Sequence, residues 1–201
     1  MKLGILGAGA IAQAIAKQAL RAGYEVVLSN SRGPQSLSSV IQSLGKGAFA
    51  GTRQEAVSQE IVFIAVPWKQ LTVALQDLPS WDGRIVVDTT NPLGPPDFQR
   101  IDLGGKTSSE VVQGLVPGGL LVKAMNTLPP ETLAANPNQA NGKRVLFLSG
   151  DDTRSKEKVA GVFGKMGFAP IDLGALASGG ILQQFPGGPL AAQNLVRMAL
   201  R

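Results

Sequence analysis

Gly7-Ala8-Gly9-Ala10-Ile11-Ala12 is the one stretch whose residue types and spacing point directly to a chemistry, the binding of a pyrophosphate. In a G-x-G-x-x-A pattern the first glycine permits a tight turn and the second lets the backbone approach the phosphates. The final small residue allows close packing of helix on strand. A helix opening at this turn offers unpaired N–H groups and a positive dipole end to an anion. The pattern alone also fits a glycine-rich turn that holds no nucleotide. Its setting favours the dinucleotide: Lys2 to Leu6 reads as a buried strand, a helical pattern follows the turn, and Gly23 stands where a helix ends. Glu25 to Ser29 returns as a second strand.

The residues after that second strand address which dinucleotide. A site for NAD usually carries Asp or Glu there, bonded to the ribose 2′-hydroxyl. This chain has Leu28-Ser29-Asn30-Ser31-Arg32, with no carboxylate to repel a 2′-phosphate. Asn30, Ser31 and Arg32 are therefore candidates for holding one, with the guanidinium supplying a planar fork of donors. NADP(H) is the expected cofactor; the alternative is that Arg32 is a solvated loop arginine.

Composition removes several mechanisms. There are no cysteines and no histidines among the 201 residues. Disulfides, thiolate metal sites, cysteine nucleophiles and Ser-His-Asp triads are excluded. Lys123 and Tyr24 remain as conventional proton donors. Net charge is +5, but the basic residues are scattered and aromatics make up 5%, which gives no nucleic-acid footprint. No apolar run approaches the roughly 20 residues of a membrane span, and a cytoplasmic protein is expected.

The elements that must position the candidate residues alternate between strand and helix. Pro34 opens a helix that stops at Gly45, and Ala48 to Ala50 is a short strand. Gln54 to Val57 is a helical turn. Ile61 to Val66 is a continuous apolar run of the kind found in parallel strands covered on both faces. Lys69 to Leu78 suits a helix, and Arg84 to Asp88 suits a strand. The expected fold is α/β, a Rossmann-type doubly wound, mainly parallel sheet with a small helical C-terminal cap. Ligands of such sheets lie beyond the carboxyl ends of the strands. Gly7 to Ala12, Ser29 to Arg32, Val66 to Trp68 and Thr89 to Pro92 would then share one rim, where Asn91-Pro92 either orients a nicotinamide ribose or simply turns the chain.

The second half is less regular. Residues 92 to 106 read as a loop, Thr107 to Gly114 as a helix, and Leu120 to Met125 and Arg144 to Ser149 as strands. Asp151-Asp152-Thr153 caps a helix running to about Met166, which makes those acids caps rather than metal ligands. Phe168 to Leu173 is a last strand. Glycines and prolines from Gly179 to Pro189 interrupt the tail before a final helix, Leu190 to Leu200. The chain is expected to be a single domain, with the dinucleotide-binding part at about 1–92. The part at 93–201 would form an acceptor pocket or a dimer contact.

With these landmarks placed, the chain resembles the NADPH-dependent deazaflavin (coenzyme F-420) reductases and related dinucleotide-binding oxidoreductases. The motifs are GAGAIA at 7–12, SNSRGP at 29–34, AVPW at 65–68, VVDTTNP at 86–92 and KAMNTLP at 123–129. The first is generic, while the combination of the next three is specific. The resemblance implies that Gly9, Ala10, Ile11 and Ala12 serve the pyrophosphate, and Ser31 and Arg32 the 2′-phosphate, with Gly7 counted among the cofactor-site residues for its tight turn. Ala65, Val66, Pro67 and Trp68 would flank the ribose and nicotinamide. Asn126, Thr127 and Leu128 would lie against a deazaflavin or flavin acceptor. Archaeal members carry histidine where this chain has Asn126, and members often have Asn where it has Ala10. The implied protein is a homodimeric NADP-dependent oxidoreductase acting on a small-molecule acceptor. Hydride transfer between stacked rings needs no side-chain acid or base, which suits a chain without His or Cys. Two other functions remain open: reduction of a small C=O or C=N bond, and non-catalytic NADP(H) sensing.

Overall fold

A computed structural model describes residues 1–94, 99–139 and 141–198. The first half is β1 (Lys2–Leu6), α1 (Ala10–Arg21), β2 (Glu25–Ser29), α2 (Ser38–Leu44), β3 (Ala48–Ala50), α3 (Arg53–Val57), β4 (Ile61–Ile64), α4 (Leu71–Leu75) and β5 (Ile85–Asp88). Single 3-10 turns, Pro34–Leu37 and Trp68–Gln70, precede α2 and α4. The second half adds a small hairpin, β6 (Leu93–Gly94) and β7 (Gln99–Arg100), then α5 (Ser108–Leu115), β8 (Leu120–Ala124), α6 (Pro130–Ala134), β9 (Asn138–Gln139) and β10 (Gly142–Gly150). It ends with α7 (Thr153–Lys165), β11 (Ala169–Asp172), α8 (Leu176–Gln183) and β12 (Val196–Met198).

The main sheet has the strand order β11-β10-β8-β5-β4-β1-β2-β3. From β3 to β8 every pairing is parallel, while β10 runs antiparallel to β8 and β11 parallel to β10. This is the expected doubly wound, mainly parallel Rossmann-type sheet. Alternation of side chains explains its two cores. Ile61 and Phe63 of β4 join one cluster with Ile15 of α1 and Phe163 of α7. Val62 and Ile64 join the other with Val57 of α3 and Val112 of α5. The apolar run in β4 is thus apolar because both of its faces are covered.

The tail departs from expectation. The final helix expected at Leu190 to Leu200 is absent over its described residues, and Val196–Met198 forms β12 against the start of β10. Pairing decides this: the Arg197 carbonyl sits where a Cβ on Gly142 would stand, so only glycine admits the strand. Gly179 and Gly180 do not interrupt the tail but lie inside α8. A Cβ on Gly179 would stand 2.6 Å from the Ser149 Cβ, so its absence lets the helix press onto β10. Residues 92 to 106, expected as loop, include the hairpin β6–β7, whose connection at 95–98 lies outside the described residues.

Candidate functional site

Parallel order brings the carboxyl ends of β2, β1, β4 and β5 to one rim in that sequence. Between them opens a cavity of about 490 Å³, lined by Gly9, Ala10 and Ile11 after β1, Ala65 to Lys69 after β4, Thr89 to Asn91 after β5, and Leu93 and Gly94 of the hairpin. Of the residues expected to touch the cofactor, Gly9, Ala10, Ile11, Ala65, Val66, Pro67, Trp68 and Asn91 lie in this wall. Thr89 and Thr90 belong to the rim segment expected from the sequence, whereas Lys69, Leu93 and Gly94 were not singled out. The hairpin gives no periodic signal, and Lys69 reads like any exposed lysine.

The glycine turn has two distinct parts. Gly7 has φ +125°, and a Cβ there would overlap the Ala65 carbonyl oxygen. That carbonyl is held close because Ala65 N donates to Leu6 O at 2.8 Å. Gly7 therefore shapes the turn and is not part of the cavity wall. Gly9 has open space where its Cβ would be, with nothing within 4 Å. No side chain caps α1, and its first backbone bond runs from Gln13 N to Gly9 O at 3.0 Å. The N–H groups of Ala10, Ile11 and Ala12 thus have no backbone partner before α1 among the described residues, which leaves them for an anion. The Ala12 side chain is fully buried and packs in the core against the sheet.

Beyond β2 the chain turns on Asn30. Its Oδ1 accepts from Arg32 N at 2.9 Å, and its Nδ2 donates to Ser36 Oγ at 2.8 Å. Asn30 therefore builds the loop, while Ser31 and Arg32 stand exposed on the same rim, outside the cavity wall. Arg32 forms no ion pair among the described residues.

Asn126, Thr127 and Leu128, expected against the acceptor, are instead buried and absent from the cavity wall. Leu128 packs in the core. The Thr127 carbonyl accepts from Ala192 N at 3.0 Å, which ties down the tail. Asn126 reaches the cavity indirectly: its Nδ2 donates to Asn91 Oδ1 at 3.0 Å, and Asn91 Nδ2 donates to the Asn126 carbonyl at 2.8 Å. No described residue of the tail from Leu176 onward lines this cavity.

Neither candidate proton donor faces the cavity. Tyr24 lies beside the start of β2, at the far end of the sheet, its ring 4.3 Å from Lys165 Nζ. Burial pushes its phenol above the ordinary range. Lys123, at the rim end of β8, is fully buried and paired with Asp88 at 2.9 Å. Among the described residues, the cavity wall holds one cation, Lys69, and no carboxylate. No cluster of acids that could hold a metal occurs among the described residues. Among them, too, no helix is long and apolar enough to cross a membrane.

Comparison with known proteins agrees with this geometry. Residues 2–92 match the family described as NADP oxidoreductase, coenzyme F420-dependent. The rat metalloreductase STEAP3 is 31% identical over 186 residues, which cover 92% of this chain and 36% of the rat protein. The chain thus spans about a third of the length of the curated relatives it matches. A solved hypothetical protein of Sinorhizobium meliloti is 44% identical, with a TM-score of 0.93, covering 98% of this chain and 96% of that one. An Arthrobacter protein proposed as an F420-dependent NADP reductase shares the fold at 23% identity, with a TM-score of 0.70, covering 88% of this chain and 86% of that one.

Proposed function

We propose, from the match of residues 2–92 to the family described as NADP oxidoreductase, coenzyme F420-dependent, that this chain binds NADP(H) and transfers a hydride to a deazaflavin or flavin-type acceptor. The observation that carries the reading is the continuous rim from Arg32 to Asn91. Among the described residues, an arginine without an ion pair stands beyond the end of β2, a helix start without a side-chain cap at the end of β1, and a lipophilic cleft beyond β4 and β5. Such a rim fits a ligand with a phosphate near one end, a pyrophosphate in the middle and a flat ring at the other. Gly9 supports the fit, because the open space at its Cβ position lets phosphate oxygens meet the backbone.

Bound there, the cofactor would supply a hydride from its dihydronicotinamide ring. The chain's part is to hold and orient. Ser31 and Arg32 would grip the 2′-phosphate, the first turn of α1 the pyrophosphate, and Ala65 to Trp68 with Asn91 the nicotinamide end. The chain has no histidine or cysteine and the described wall holds no carboxylate, so general acid catalysis there would rest on the Lys69 ammonium alone. That favours an acceptor whose reduction needs only ring-to-ring contact over a carbonyl or imine. As parts of the same reading, the protein is placed in the cytoplasm and taken as a homodimer; light scattering tests the second.

The test is a calorimetric titration followed by an acceptor screen. NADPH should bind in the micromolar range and NADH far more weakly. Arg32→Ala should weaken NADPH about 10- to 100-fold, the worth of a lost charge-assisted hydrogen bond or two. NADPH oxidation should follow addition of the deazaflavin, FMN or FAD. Response only to ferric chelates or small imines would replace the acceptor, and failure to bind NADPH would end the reading.

A further inference from the structure

The Asp88–Lys123 ion pair is fully buried: both side chains have 0% exposure. Taking two charges out of water costs several kcal/mol per ion, and a well-packed apolar pair is often as stable. Stability alone is therefore a weak account of why charges stand here. Their hydrogen bonds suggest another. Asp88 Oδ1 accepts from Thr90 N at 2.8 Å and Thr90 Oγ1 at 2.7 Å. Asp88 Oδ2 accepts from Lys123 Nζ at 2.9 Å, and the same Nζ donates to the Thr90 carbonyl. Three bonds thus fix Thr90, a residue of the cavity wall. The next residue, Asn91, is fixed by its reciprocal amide pair with Asn126. Asn126 Nδ2 also donates to the Gln183 carbonyl at 2.7 Å, and Gln183 Nε2 donates to Ser149 Oγ at 2.7 Å. The Asn126 Oδ1 and Gln183 Oε1 atoms are buried without partners among the described residues, a further cost.

Position on the sheet says which part of a dinucleotide this wall would meet. Arg32 follows β2, and Thr90 and Asn91 follow β5. Those strands are separated by β1 and β4, three spacings or about 14 Å. A ligand anchored by its 2′-phosphate at Arg32, with its pyrophosphate at Gly9, can reach Asn91 only with its nicotinamide end. We infer that Asp88, Lys123 and Asn126 are positioning residues, through which the second half of the chain sets the wall against which the nicotinamide ring is seated. The inference rests on the NADP(H) reading and adds to it that the grip on the nicotinamide end is separable from the grip on the 2′-phosphate.

Two ligands separate the two grips. NADPH spans the whole rim, whereas adenosine 2′,5′-bisphosphate carries the phosphate end and has no nicotinamide. Calorimetry would compare the wild type with Asn126→Ala, with the charge-free double variant Asp88→Leu/Lys123→Met, and with Arg32→Ala. The double variant removes both charges together, so neither is left buried alone. Asn126→Ala and the double variant should bind NADPH at least tenfold more weakly and the bisphosphate within twofold of wild type. Arg32→Ala should weaken both ligands alike. Equal losses for the two ligands in Asn126→Ala would mean a general structural role and overturn the inference. Unchanged NADPH binding would overturn it as well. If thermal melting shows the double variant to be unfolded, Asn126→Ala decides alone, and the reverse holds if that variant is the unfolded one. A wild type that binds neither ligand would instead remove the NADP(H) reading, and this inference with it.

Discussion

Two glycines separated by one residue do opposite work. Gly7 is confined by the Ala65 carbonyl at a φ of +125°, while Gly9 faces open space. Gly7→Ala should therefore lower stability by about 1–3 kcal/mol, the usual cost of holding a side chain in a disfavoured conformation. Gly9→Val should leave the melting temperature within a degree or two and abolish NADPH binding, because its side chain fills the space above the α1 N-terminus. Thermal melts and calorimetry on both variants check the pair; a destabilised Gly9→Val would contradict the open-space account. At this scale the motif was legible in the sequence, because turn geometry and anion binding are local. Asn126 was not. The sequence marked it as polar and at a strand end, but only folding turned its amide inward onto Asn91.

Three helices of this chain, α3, α5 and α7, have starts built by side chains. Thr52 and Thr107 form capping boxes with Glu55 and Glu110. The Thr107 backbone N–H, and then its side chain, hold the Glu110 carboxyl below the ordinary glutamate range. Thr107→Ala should cost about 1 kcal/mol in urea denaturation near neutral pH. The sign of the pH effect follows from the lowered value. The Glu110 contribution is fully present above the ordinary glutamate range and fades as pH falls through its depressed folded value. The gap between wild type and Thr107→Ala should therefore narrow in acid; a gap that widens would contradict the capping geometry. Where a periodic pattern and a cap coincided, as at α7 with Asp152, the element was readable in advance. At the tail a helical pattern at Leu190 to Leu200 lost to pairing of β12 with β10, because strand partners remote in sequence outweigh weak local preference.

The two halves of the chain share one sheet: β8 pairs in parallel with β5, and β10 and β11 extend the same layer. The buried Asp88–Lys123 pair crosses that same seam. Unfolding should accordingly be one cooperative event. Both tryptophans, Trp68 and Trp81, lie within residues 2–92, so their fluorescence reports the first half, while far-ultraviolet circular dichroism reports all of it. The two urea transitions should coincide; separate midpoints would show that the halves melt independently.

The sequence by itself determined the glycine turn, the alternation of strand and helix and the exclusion of histidine and cysteine chemistry. These follow from local sterics, side-chain period and residue inventory. Tertiary structure alone decided that Lys123 is a buried partner of Asp88 and that the Asn126 amide is hydrogen-bonded to Asn91. It also placed the tail on β10 rather than over the cavity. Each of these depends on which strand ends become neighbours, and that is set by the order in which strands far apart in the chain assemble into one sheet.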